Sequence, residues 1–397
     1  MILYKRFVLL ICCCLFIAGC WDSIEVEERG FVTGIAIDLA NEKQTESEIE
    51  NNESEQSQIK LTQQFLNPSS LGSIQSNNTN TTSKSFRNIS LTGDTIIEIN
   101  RNMIKQAGRR TNVTHLNIVL FSEEVAQKEH LFAELMDIFL REKEMLRSVK
   151  IAITKDEASS YLNVLPENEK IPSKYLSIIL ENKSNLDIAQ PITVGNVQSY
   201  LLSKRSFIIP FIHQINEETV NYEGLSVYSG SKHKIVGTLT GNDAKGVNFI
   251  QSKNQTGTVN LKVNNQNVTF EILEIHNKIS LKKNTYPFEF QITLNVESGI
   301  AEMFGSLNIM DEHNYKKLQK TLEKEIKQTV EHTVSILQNE FEADVIGLNK
   351  HLYEHNYPLW ESIKDDWEDG LHFFKNSKVH VTVNATIEKP GNIIKSH

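Results

Sequence analysis

The chain has 397 residues, with 41 lysines and arginines against 50 aspartates and glutamates and a net charge of −9. That length allows two or three domains with real cores. The acidity argues against a nucleic-acid partner, which needs a basic patch, and against general adhesion to anionic lipid.

The first stretch in chain order sets the context for the rest. Lys5 and Arg6 precede an apolar run from Phe7 to Ala18, and Ile17-Ala18-Gly19-Cys20 follows. The basic head and short apolar core fit a secretory signal peptide over residues 1–19 and are too short to span a bilayer as a helix. Small residues directly before a cysteine suit a lipoprotein signal, cut before Cys20 and acylated on that residue. The other reading is an ordinary signal peptide, or a core helix, with a chance cysteine. The four cysteines are Cys12, Cys13, Cys14 and Cys20. A mature body therefore has no disulfide, cysteine–zinc site or thiol nucleophile. The expected lipid is a diacylglycerol with a further palmitate-type acyl chain; several chains together give lasting membrane hold. No other cofactor is predicted.

A strand is predicted over 27–38, with Phe31, Val32, Ile35 and Ile37 around Gly30 and Gly34. The polar run 41–58 lacks apolar periodicity and is expected to be a loop. A strand over 59–65 pairs back as a hairpin, and 67–80 reads as a second polar loop. Thr92-Gly93-Asp94 marks a turn and cap before a helix from Thr95 to about Ala107. A buried strand is expected over 117–121, an amphipathic helix over 129–141 and a strand over 149–154. Together these define an N-terminal α/β domain over 20–190, its helices packed on a sheet. Four of the eight prolines fall between Pro166 and Pro210, marking a boundary region over 191–222. It follows a helix at 173–182 and holds a strand pair between Val197 and Phe211.

From residue 223 a C-terminal domain to 390 is predicted. It has strands at 225–228 and 234–240, then 257–263 and 268–280 joined by Asn264-Asn265, then 287–298. The longest element follows, a helix over about 312–343. Leu318, Leu322, Ile326, Val330, Val334 and Leu337 draw one stripe along it, about 45 Å at 1.5 Å per residue. A nearby sheet needs covering, which favours packing on that sheet over a coiled coil with another chain. The face bearing Lys317, Lys320, Glu323, Lys324, Lys327 and Glu331 is expected to be solvated. Gly347 suits a cap or break, a helical tail carries Trp360 and Trp367, and a last strand covers 378–387. The fold class is α+β: mixed sheets with packed helices, the long helix on an antiparallel-rich C-terminal sheet.

No catalytic constellation stands out. His351 and His355 have an i, i+4 spacing that can hold zinc, but Leu352 replaces the glutamate of the zinc-peptidase order, and a solvated helix face is favoured. No metal site is predicted. Asp365, Asp366, Glu368 and Asp369 lack calcium-loop spacing and read as a polar helix surface around Trp367. Trp360 and Trp367, seven apart on one helix face, suit core burial better than a partner contact. Gly-x-Ser-x-Gly and phosphate- or dinucleotide-binding glycine motifs are absent. The protein is expected not to be an enzyme.

Three blocks in order resemble the Ger(x)C family of spore germination lipoproteins. The first is Cys20-Trp21-Asp22 with Glu25, Gly34 and Asp38. The second is His115-Leu116-Asn117 through Glu123-Glu124-Val125-Ala126 to Asp137 and Arg141. The third is Gly224-Leu225-Ser226-Val227-Tyr228 to Gly246, continuing from Asp344 to Trp367. Two departures stand out: the 41–58 run is longer than the family's usual hairpin tip, and Leu348-Asn349 replaces a Phe-Gly pair after Gly347. The resemblance implies a non-catalytic C subunit of a nutrient germinant receptor in an endospore-forming Gram-positive bacterium. It also implies attachment to the outer face of the spore inner membrane, beside two integral membrane subunits. The alternative is a lipoprotein that captures a small nutrient directly.

Overall fold

A computed structural model describes residues 29–40, 58–67, 70, 84–181, 188–251, 256–305, 307–309 and 311–388. The leader, Cys20, Trp21, Asp22, Glu25, the loop at 41–57 and most of the loop at 67–80 lie outside the described residues.

The first sheet has nine strands: β1 (Arg29–Leu39), β2 (Ile59–Leu66), β3 (Phe86–Gly93), β4 (Arg110–Asn112), β5 (Ile118–Ser122), β6 (Lys150–Thr154), β7 (Phe207–Gln214), β8 (Val220–Ser229) and β9 (Lys234–Thr240). Its order is β3-β2-β1-β5-β6-β7-β8-β9, with β4 also on β1. The centre is parallel and both flanks are antiparallel. Every residue of β5 is buried, as its unbroken run Ile-Val-Leu-Phe requires of a strand covered on both faces. One face packs against helices Ile96–Ala107, Leu131–Arg141 and Val194–Leu202; the other meets Ala158–Tyr161 and Pro172–Ile179.

The second sheet has four strands, β10 (Gly257–Val263), β11 (Gln266–Lys283), β12 (Glu289–Met303) and β13 (Lys378–Ile387). Only β12 and β13 run parallel. Asn264 and Asn265 both take positive φ, 51° and 65°, the backbone of a two-residue hairpin turn. The helix Glu312–Ile336 continues as a π turn, Leu337–Phe341, and stops at Glu342 in the left-handed region. Leu318, Leu322, Ile326 and Val330 bury its stripe in the same core as β10–β13. The helix also closes the open edge of β13. The Tyr315 hydroxyl donates to Ile387 O (3.0 Å) and Gln319 Nε2 to Ala385 O (2.8 Å). Ala385 N donates to Glu323 Oε1 (3.1 Å). Glu323 therefore leaves the solvated face expected for it, because an unpaired edge N–H needs an acceptor.

Three other expectations change. Residues 197–202 belong to a helix rather than a strand: Thr193 and Asn196 form a reciprocal capping box, and Val194 and Val197 turn inward at helical spacing. Strand β3 and the helix Gly241–Gln251, with Ala244, Val247 and Ile250 buried, were not anticipated. Strand β8 hydrogen-bonds to β7 and β9 to β8, so a division drawn at 223 cuts through the first sheet, and the break between the sheets falls after Thr240.

Gly34 illustrates how tightly the layers approach. A Cβ there would lie 2.6 Å from Ser173 Cβ and 2.8 Å from Leu162 Cδ2. Gly34→Ala should force the helix Pro172–Ile179 off β1 and lower stability by about 1–3 kcal/mol, the cost of overpacking a dense core. The urea midpoint checks it; an unchanged midpoint would show that the layer yields without strain.

A buried acid pair at the junction of the two sheets

Between the sheets lies a network built on two carboxylates. Asp344 follows the end of the long helix, and its carboxylate stands at the start of the helix Leu348–His355. It accepts N–H donors from Gly347 (2.9 Å), Leu348 (3.1 Å) and Asn349 (2.6 Å). Gly347 has φ +87°, which lets the chain turn back over the carboxylate. A fourth donor is the indole N–H of Trp367 (2.9 Å). The four donors satisfy orphan N–H groups of the helix start and the indole together.

Glu368 sits one residue after that tryptophan. Its Oε1 accepts from Asp344 N (2.7 Å) and its Oε2 from the Ser206 hydroxyl (2.5 Å). Ser206 Oγ in turn accepts from Gly230 N (2.9 Å). Ser206 precedes β7, and Gly230 lies in the turn between β8 and β9. The C-terminal tail is thus fastened to the first sheet through one carboxylate. Asp344 is 1% exposed and Glu368 9% exposed. Glu368 is not part of a polar surface, as its acidic neighbours suggested; its position beside Trp367 carries it inward.

Burial pushes the Glu368 carboxyl up to about 7, and the neighbouring Asp344 charge adds to the rise. Burial raises Asp344 as well, against the pull of its four donors. Asp344, with twice the donors, is the better holder of the negative charge, and Glu368 the better holder of a proton. Ser206 is engaged at both ends, to Glu368 and Gly230, and its partners do not include a histidine base. Nearby, Glu342 bridges Lys232 (3.2 Å) and Lys375 (2.6 Å), which hold its carboxyl below the usual range.

Trp367 is buried among Phe288, Phe290 and Phe374. Trp360 is half-buried and meets it edge-on at 6.0 Å between ring centroids. The two do not share one continuous helix: Trp360 lies in Tyr357–Ile363, and a 3-10 turn, Lys364–Asp366, intervenes. Gly224 touches neither ring. A Cβ there would sit 2.1 Å from Leu239 O, so the position serves the β8–β9 pairing.

The remaining motif positions lie apart, in the first sheet. Asp38 is buried and accepts from Ala158 N (2.5 Å) and Ser159 N (3.0 Å), anchoring the start of a short helix; burial pushes its carboxyl up to about 6. His115 is exposed, its ring edge-on to Phe31 at 5.2 Å. His351 and His355 stack at 4.5 Å beside a cleft of about 490 Å³ that also reaches Asp344. Among the described residues no group of three or more His, Cys, Asp or Glu side chains could hold a metal ion, and no helix is long and apolar enough to cross a membrane.

The network predicts a pH slope. Glu368 holds its proton to higher pH in the folded chain than its ordinary value of 4.5. Its contribution is therefore fully present below about pH 4.5 and lost as pH rises through about 7, roughly 3 kcal/mol at most. Glu368→Gln keeps the shape and removes the titration. Urea midpoints from pH 5 to 8 should fall in the parent and fall less in the variant, leaving the slope that Asp38 and Asp344, both also raised by burial, supply with the same sign. Equal slopes would refute the assignment.

The chain is similar to known proteins along most of its length. Residues 22–214 match the family model described as spore germination protein N-terminal domain, and residues 223–391 match spore germination B3/GerAC like, C-terminal. Spore germination protein YndF of Bacillus subtilis (strain 168) is 29% identical over 97% of this chain and 95% of its own. Spore germination protein A3 of the same organism is 25% identical over 97% and 98%. The crystal structure of the GerBC protein superposes with a TM-score of 0.60 at 18% identity, covering 85% of this chain and 96% of that one, which shows a shared fold.

Proposed function

The chain belongs to the spore germination B3/GerAC-like family, and on that premise we propose that it is a non-catalytic, lipid-anchored subunit of a spore nutrient germinant receptor. It acts through contacts with integral membrane subunits on the outer face of the spore inner membrane. The observation that carries this reading is that both family models match in order, the first beginning at Asp22, directly after the Cys20-Trp21 junction. The use made of the buried acids supports it. Asp38 and Asp344 spend their oxygens on backbone N–H groups at helix starts, and Glu368 ties two segments together. Those are architectural roles.

Cys20→Ala should leave the precursor unprocessed and move the protein out of the detergent phase on partitioning. The parent should partition with lipid and co-precipitate a many-spanning protein from sporulating cells. Deleting the chain, with its partners intact, should abolish one nutrient response. A soluble parent, or a deletion strain that germinates normally on every nutrient, would refute the proposal.

A further inference from the structure

The charges of the first sheet are sorted along its strands. Strand β1 enters at Arg29, the register partner of Arg110 in β4. Arg109 lies beside them, its Cβ 3.5 Å from where a Cβ on Gly30 would stand. Strand β3 runs in the same direction as β1, since both pair antiparallel with β2. Lys84 and Arg87 lie at its entry, Arg87 level with Phe65 and Val32. Strand β6 enters at Lys150, and Arg147 precedes it at the same end. Arg87, Arg109, Arg110 and Arg147 are exposed. None of these arginines has a carboxylate within ion-pair distance among the described residues. The acids nearby are engaged. Glu181 is paired with Lys150, Glu144 accepts from Asn112 Nδ2 (3.0 Å), and Glu142 accepts from Glu144 N (3.3 Å).

The opposite end carries the other sign. Strand β5 leads into Glu123 and Glu124, β6 into Asp156 and Glu157, and the turn between β7 and β8 holds Glu217 and Glu218. Lys60 and Lys155 offset part of that charge, and Lys60 is taken up by Glu157 (2.5 Å). The 11 residues of β1 span roughly 35 Å between the two ends. The attraction of a charged bilayer fades within a Debye length, about 10 Å at 0.1 M salt. The net charge of −9 therefore opposes adhesion through the whole surface and leaves one end free to adhere.

We propose that the entry end of the first sheet lies on the anionic lipid headgroups of the bilayer that Cys20 enters, with the acidic end turned away. Guanidiniums hold phosphate through charge-assisted, bidentate bonds. Leu146, 48% exposed beside Arg147, gives the same end an apolar tip. Two observations fix the occupant. One is the sign of the charge; the other is the connection of about nine residues from Cys20 to Arg29, which delivers this end to the bilayer. Acyl chains and a basic patch together make a two-signal membrane attachment. The proposal rests on the anchored reading for its tether and adds an orientation to it.

The test is hydrogen exchange of the full chain on two kinds of vesicle, neutral phosphatidylcholine and a mixture with about one-third phosphatidylglycerol. Retention on the neutral vesicles reports the anchor. Exchange reports the basic end whether or not the anchor holds. Peptides covering 105–112 and 141–149 should exchange at least about threefold more slowly on the anionic vesicles, and the peptide covering 214–219 equally on both. Raising salt to about 1 M, where the Debye length is about 3 Å, should abolish the difference. So should the double variant Arg109→Gln/Arg110→Gln and, away from β4, Arg147→Gln should reduce it, with retention on neutral vesicles and the exchange of 214–219 unchanged. Equal exchange on the two lipids, which would leave the basic end to an acidic protein partner, overturns the proposal. Protection that survives high salt or the double variant, or that appears at 214–219 instead, does the same.

Discussion

The buried pair Asp344–Glu368 is the constraint on which the junction depends. Each carboxylate loses its water, a loss of several kcal/mol per ion that only well-placed donors offset. Asp344 recovers it from three backbone N–H groups and an indole; Glu368 recovers it from one N–H and one hydroxyl. Because those donors come from residues 206, 344, 347–349 and 367, no one segment can shift without stranding a charge. The covalent alternative is closed to this chain, whose four cysteines all lie within its first twenty residues. Hydrogen bonding to buried acids does the tying that a disulfide does in many exported proteins.

The same device recurs in the first sheet. Asp38, at the end of β1, holds the start of the helix Ala158–Tyr161 as Asp344 holds the start of Leu348–His355. In both cases a carboxylate from outside the helix completes its first turn, where the helix dipole favours negative charge. Close backbone approach does the rest. Gly246 lets the helix Gly241–Gln251 sit against Thr333 of the long helix, where a Cβ would lie 2.0 Å from the threonine hydroxyl. The long helix is thus pinned on two sides, by that glycine contact and by its hydrogen bonds to the edge of β13.

Elements with a strong period were legible in the sequence. The stripe from Leu318 to Leu337 announced a helix packed on a sheet, Asn264-Asn265 announced its hairpin, and the alternation of 378–387 gave the last strand to the residue. Local pattern failed where tertiary context decides. Val194 and Val197 look as much like strand as helix until the Thr193–Asn196 capping box is read. The helix Gly241–Gln251 has a weak period because neighbours cover it on several sides. Among the site residues, Trp367 was legible as core, but Glu368 read as surface beside three other acids. Its burial is set by Ser206, 162 positions away, which no local window contains. The pairing of Arg29 with Arg110 was equally hidden, since those residues meet only through the β1–β4 ladder.

Geometry near the chain's start limits how far the first sheet can stand from the proposed anchor. About nine residues separate Cys20 from Arg29, the first residue of β1. Fully extended, that tether reaches no more than about 30 Å. With Cys20 acylated, Arg29 and the start of β1 stay within a domain's width of the bilayer. The junction cleft near His351 and His355 lies between the two sheets, lined by Phe207 and Ile208 of β7 on one side and by Asn277 and Ile279 of β11 on the other.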